Sequence, residues 1–142
     1  MGFADSIRAN VKKRELQIEQ AVEKRAQKLF KAIVSLSPTD PGAPYSKGEF
    51  INNWIVGFNS ISNAQRGSYN YDGIESLNDI AKIRGSKVFF RRDGKVTLTN
   101  NTPYGFRVEY KGWPQPEWSG RQGPYAPIAK AFIRVVPKFK RP

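Results

Sequence analysis

A chain of 142 residues with 39% hydrophobic and 13% aromatic side chains has enough apolar material for one folded domain and too much for a disordered one. It has no cysteine and no histidine, which excludes disulfides, thiol nucleophiles, thiolate or imidazole metal sites and the usual neutral-pH proton carrier. Its net charge of +12 implies an anionic neighbour, whether nucleic acid, an acidic protein or a membrane surface, or else a plain basic surface.

Residues 3–35 read as one helix. Phe3, Ile7, Val11, Ile18, Val22, Ala26, Leu29, Ile33 and Leu36 recur at steps of three, four or seven, which lays one apolar stripe along one face. Such a helix is about 50 Å long, more than a domain of this size spans, so its first part is expected to project and its stripe to need a partner. A pair of shorter helices broken at residues 12–15 is the other reading. Pro38 pushes Ser37 out of the helical region and ends the helix. A loop follows to Gly48.

Residues 49–58 read as a strand, with Phe50, Asn52, Trp54, Val56 and Phe58 on one face and Ile51 and Ile55 on the other. Residues 59–73 are polar and aperiodic, a long loop carrying Tyr69 and Tyr71. A short helix over 73–84 turns Ile74, Leu77, Ile80 and Ala81 inward, with Asp72 as N-cap and Gly85 as its stop. Arg92, Asp93 and Gly94 then punctuate two β-rich runs as a hairpin turn. A further strand is expected over 102–110, an irregular loop over 111–124, and a closing helix over 125–136 with Ala126, Ala129, Phe132, Ile133 and Val136 on one face. Residues 133–136 also suit a strand. The expected architecture is a single α+β domain: a long N-terminal helix over 1–36, then a core over 37–136 in which a short middle helix and a C-terminal helix cover a small, mostly antiparallel sheet, and a basic tail over 137–142.

The sequence carries none of the usual catalytic patterns. It lacks a phosphate-binding Gly-rich loop, a dinucleotide fingerprint and a nucleophile elbow, and without histidine a Ser-His-Asp triad is impossible. Glu109 and Glu117 beside Trp113 and Trp118 imitate a sugar site only faintly, because nothing drives the two carboxyls apart in pKa. Neither an enzyme nor a cofactor is expected. Basic residues interleaved with aromatics, as in Phe89, Phe90, Arg91 and Arg92 or Tyr110, Lys111 and Trp113, suit phosphate contact and base stacking, so a cytoplasmic nucleic-acid-binding module is the rival reading. No run reaches the ~18 apolar residues of a membrane span, and the N-terminus lacks the apolar core of a secretory signal, so residence in the cytoplasm is expected.

Two patches share a pattern. The first is Ser37, Pro38, Thr39 and Asp40, followed by Gly48 and then Asn53 and Trp54. The second runs from Asn100 through Pro103 and Tyr104 to Glu109 and Tyr110, and on to Gln122 and Pro124. Together they resemble the head–tail joining, tail-completion or neck family of tailed bacteriophages, in which Ser/Thr-Pro-x-Asp-Thr-Gly, Asn/Ser-Trp, Pro-Tyr-Ala, Glu-Tyr-Gly and Gln-Ala-Pro-x-Gly follow a first helix in that order. The chain departs from the pattern at Asp40, Pro41 and Gly42, where extra residues run to Lys47. It departs again at Gly105 in place of alanine and at Gly123 between Gln122 and Pro124.

The resemblance implies a structural virion protein at the head–tail junction, made in the host cytoplasm. It would form a homo-oligomeric ring of six between connector or adaptor and tail proteins, around the channel that genomic DNA passes. On that basis Phe3, Ile7, Val11, Tyr69, Tyr71, Trp113 and Trp118 are candidate contacts with neighbouring subunits or rings. Arg91, Arg92, Lys138, Lys140 and Arg141 are candidate contacts with DNA or an acidic partner. The motif residues also have plainer roles: Trp54 and Tyr104 as core, Asn100 and Asn101 as turn formers, and Glu109 as an ion-pair partner of Arg107, Lys111 or a neighbouring subunit.

Overall fold

The computed structural model describes residues 2–38, 48–67, 70–103, 105, 107–111 and 126–139. The first element is one unbroken helix, α1 (Phe3–Leu36), and there is no break at residues 12–15. Its interior has neither proline nor glycine and is rich in the strong helix formers Ala, Leu, Lys, Glu and Gln. Ser37 ends it in an extended conformation (φ −76°, ψ 135°), as the following Pro38 requires.

Beyond α1 come β1 (Trp54–Phe58), α2 (Ile74–Ala81), β2 (Val96–Asn100) and α3 (Pro127–Val135), with short 3-10 turns at Val88–Phe90 and Val136–Lys138 and a π turn at Arg107–Lys111. The strands form a two-stranded antiparallel sheet in which Trp54 faces Asn100 and Phe58 faces Val96. The α+β class therefore holds, with α1 packed on α3 and α2, and α2 against β1. Ile33, Val34, Phe50, Ile51, Trp54, Ile80, Ile83, Val108 and Ala131 meet in one core.

Several local expectations are corrected. The first strand is five residues, not ten. Residues 48–52 form tight turns, with the Asn52 and Asn53 N–H groups donating to the Gly48 and Phe50 carbonyls. Coiling in this way buries Phe50 and Ile51 together, which alternation along a strand forbids, while Phe58 comes to the surface at 37% exposure. No hairpin forms at Arg92, Asp93 and Gly94, since residues 88–90 make a 3-10 turn and β2 pairs with the distant β1 instead. The strand expected over 102–110 gives way to the π turn at Arg107–Lys111. On α2, Ile74 faces outward at 44% exposure and Ala81 is exposed, whereas Ile80 and, beyond the helix, Ile83 are fully buried.

The α3 helix is turned about its axis relative to expectation. It buries Pro127, Ala131 and Val135, and leaves Phe132, Ile133 and Val136 exposed at 49%, 73% and 40%. Lys130 and Arg134 share one side, and periodicity points inward the side opposite them, through Phe132, which the fold leaves exposed. Glu109 holds the start of α3, as described next.

Candidate assembly surface

The motif residues prove to be stitches between elements. The Ser37 hydroxyl donates to the Ile33 carbonyl (2.7 Å) and accepts the Trp54 Nε1–H (2.8 Å), tying the end of α1 to the first residue of β1. Trp54 is 3% exposed and its ring meets Phe50 edge-on, so its expected place in the core holds. Gly48 has φ +86°, and a Cβ there would drive into the Asn70 carbonyl, so only glycine fits. The Asn100 amide donates to the Phe50 carbonyl (2.9 Å), and its oxygen accepts from both the N–H and the hydroxyl of Thr102, shaping the turn before Pro103. Asn101 donates to the Ser62 and Ala64 carbonyls. Asp40, Tyr69, Tyr104, Trp113, Trp118, Gln122, Pro124, Lys140 and Arg141 lie outside the described residues.

The side chains of Arg107 and Lys111, the cations expected to pair with Glu109, lie outside the described part of the structure, and the described role of Glu109 is that of a helix cap. Its two carboxylate oxygens accept the N–H groups of Ile128 (3.1 Å) and Ala129 (3.0 Å), the otherwise unpaired donors of the first turn of α3. Glu109→Ala is expected to cost about 2 kcal/mol, because the site is buried and two donors lose their acceptor. Urea denaturation of wild type and variant measures it.

Asn52 and Asn53, both fully buried, organise the other side of the sheet. The Asn52 amide donates to the Gly48 and Asn70 carbonyls and accepts the Glu75 N–H in the first turn of α2. Asn53 donates to the Glu49 and Arg66 carbonyls and accepts the Arg66 N–H. Arg66 then reaches the Asn52 and Trp54 carbonyls and pairs with Asp79 at 3.0 Å. Asp79 and Ser76 of α2 accept the outward N–H groups of Val56 and Trp54, so α2 closes one edge of the sheet with side chains. The N-cap of α2 is Gly73 and not the expected Asp72; Asp72, one residue before it, accepts the Ile74 N–H at 3.2 Å, and Asn52 accepts the Glu75 N–H. No sequence signal marks Arg66, a lone cation in a polar loop. The Asn pair beside Trp54 is visible, but its partners are not.

The domain grips α1 through Glu19 and Glu23, which are 4% and 3% exposed. Glu19 accepts the Phe89 N–H and Glu23 the Gly85 N–H, both at 3.1 Å. They border a hollow of about 280 Å³ that Lys24, Arg84, Lys87 and Phe90 also line. Burial raises the Glu19 carboxyl above the usual carboxylate range; the Phe89 N–H opposes this and Glu23 adds to it. The folded chain thus holds this proton more tightly than the unfolded one. The resulting stability is fully present below the unfolded pKa and is lost as pH rises through the folded one. Glu19→Gln keeps an acceptor for Phe89 and removes the buried charge. It is expected to raise the Tm near neutral pH by a few degrees, roughly 1 kcal/mol, and to leave it unchanged near pH 4. Thermal scans at both pH values check this.

On the far side of those carboxylates α1 is bare. Every residue from 2 to 18 is exposed, including Phe3 at 83%, Ile7 at 47%, Val11 at 49% and Ile18 at 54%. Ile18 and Glu19 are neighbours in sequence, yet one faces solvent and the other the domain; farther along, the same stripe enters the core at Ile33, with Ala26, Leu29 and Leu36 packed against it. Nearer the domain, the chain beyond α3 lies against the stripe's own side of α1: the Arg25 guanidinium lies 5.7 Å from the Phe139 ring centroid, and Arg25 follows Ile18 by seven residues, two helical turns. Tyr71 is 57% exposed at the entrance to α2. Arg91, Arg92 and Lys138 are exposed, the first two beside Phe90, itself 46% exposed.

No family model, curated protein or solved structure matches the chain.

Among the described residues no group of histidine, cysteine, aspartate or glutamate is placed to hold a metal ion, and no helix is long and apolar enough to cross a membrane. What the described surface offers is contact: an uncovered amphipathic half-helix, a second apolar face on α3, and a basic turn around Phe90.

Proposed function

We propose that the chain is a structural, non-enzymatic virion protein of a tailed bacteriophage. It forms a ring of six at the head–tail junction, between connector or adaptor and tail proteins, around the DNA channel. The observation that carries this is the uncovered first half of α1, an apolar stripe that extends past the domain and needs a protein to cover it. The ordered motifs support it, since Ser37, Gly48, Trp54, Asn100 and Glu109 serve the fold and leave the surface free for assembly. The test is proteomics of purified virions together with electron microscopy of the isolated subunit. Rings, and stoichiometric presence in virions, are expected; absence from virions sinks the reading.

A nucleic-acid-binding module is the second reading, favoured by the exposed Arg84, Lys87, Arg91, Arg92 and Lys95 around Phe90. It requires DNA or RNA affinity that falls steeply with salt and is weakened by Arg91→Glu with Arg92→Glu in a chain that never enters virions.

A further inference from the structure

The stripe on α1 has to meet something, and the charge pattern identifies what. Phe3, Ile7, Val11 and Ile18 are rimmed by Arg8, Lys12, Lys13 and Arg14, with Asp5 already engaged by Arg8 at 3.6 Å and Glu15 the remaining carboxylate before the domain begins. This half-helix is therefore apolar with a basic border. The chain as a whole carries +12, so two copies repel unless a contact sets basic residues against acidic ones.

The exposed apolar faces on α3 and at Phe90 have the wrong sign, and Ile61 at 68% stands among neutral Asn59, Ser60, Ser62 and Asn63. Phe132, Ile133 and Val136 of α3 are bordered by Lys130, Arg134 and Lys138. Phe90 stands among Arg91, Arg92 and Lys95; Asp93 is the exposed carboxylate beside it, while Glu19 and Glu23 in the hollow it lines are buried against the Phe89 and Gly85 N–H groups. The start of α2 differs. Tyr71 and Ile74 are exposed at 57% and 44%, and the charges beside them are the carboxylates of Asp72 and Glu75. Asn78, one turn along from Ile74, is exposed and neutral.

Resting on the ring reading above, we propose that the first half of α1 seats on the Tyr71–Ile74 patch of a second copy of this chain. Phe3, Ile7 and Val11 cover Tyr71 and Ile74, while the basic rim faces Asp72 and Glu75. The two surfaces are different parts of the molecule, so the contact runs head to tail and repeats from copy to copy; it closes into a ring where the rotation allows and extends into a filament otherwise. A patch of two apolar side chains is small beside the ~800 Å² per partner of a stable interface, so the contact is weak alone and gains from the neighbours that a ring supplies.

The chain has no cysteine, which makes the test clean. Full-length chains carrying Val11→Cys and Ile74→Cys are mixed and mildly oxidised, and the same is done with Val11→Cys and Ile133→Cys. The mixed disulfide with Ile74→Cys is expected to exceed that with Ile133→Cys at least tenfold. Adding Asp72→Lys and Glu75→Lys should abolish it, and adding Arg8→Glu and Arg14→Glu to the Val11→Cys chain should restore it. Equal or greater capture by Ile133→Cys, indifference to the charge reversals, or no disulfide at all overturns the seat. Electron microscopy separates the two layers of inference. Rings without the Val11–Ile74 bond remove this seat and keep the ring reading, while the bond without closed rings keeps the seat and removes that reading.

Discussion

Deleting residues 1–14 is expected to leave the Tm of the subunit within about 2 °C of the full chain and to abolish its incorporation into rings or virions. The deleted segment contributes nothing to the core. Its side chains are exposed, and the first buried positions of α1 are Glu19 and Glu23, beyond the cut. A helix end without tertiary contacts adds little to global stability, because isolated helical turns are marginal in water. Deletion also removes four cations against one carboxylate, which lowers self-repulsion and works against any loss. The point-mutant version, Phe3→Asp with Ile7→Asp and Val11→Asp, keeps the helix and charges its stripe. Calorimetry and complementation of a deletion phage distinguish the outcomes. A truncated chain that melts far below the full one would mean that the segment belongs to the fold, and the contact role would fall.

Asn52→Leu is the second large effect, and it acts on the fold. Leucine has the branching and heavy-atom count of asparagine, but it is bulkier and leaves the Gly48 and Asn70 carbonyls and the Glu75 N–H without their side-chain partner. Asn52 has no solvent exposure, so water cannot replace it. The expected cost is about 3–5 kcal/mol, a large fraction of the ~5–15 kcal/mol that holds an ordinary domain together. Asn63→Leu, on an exposed loop position, is expected to stay within about 0.5 kcal/mol. Urea denaturation of both variants measures the difference, and equal stabilities would show that the buried amide network is dispensable. Because Asn52 joins the turn at Gly48, the loop at Asn70 and the first turn of α2, its loss should also free Tyr71 and Ile74, coupling this fold defect to the proposed seat.

The sequence by itself determined the elements whose signal is local. The absence of Pro and Gly over thirty-odd residues gave one long helix, Pro38 ended it, and the β-branched and aromatic residues around Trp54 and from Val96 gave strands. The excess length of α1 over the domain also followed from residue count alone. What tertiary structure decided was partnership. The β2 strand pairs with β1 across some forty residues of chain, not with its sequence neighbour, because residues 88–90 coil to bring the Phe89 N–H onto Glu19. α3 turns its Ala131–Val135 side inward, not the side opposite Lys130 and Arg134 that periodicity favours, and Glu109 holds its first turn. The stripe of α1 divides along its length: Ile33 enters the core with Ala26, Leu29 and Leu36 packed against it, and beside them Glu19 and Glu23, which periodicity assigns to solvent, accept the N–H groups of Phe89 and Gly85. Phe3, Ile7, Val11 and Ile18, nearer the start of the helix, stay exposed. Side-chain hydrogen bonds to backbone groups distant in sequence have no period, so they become legible only once the chain is folded.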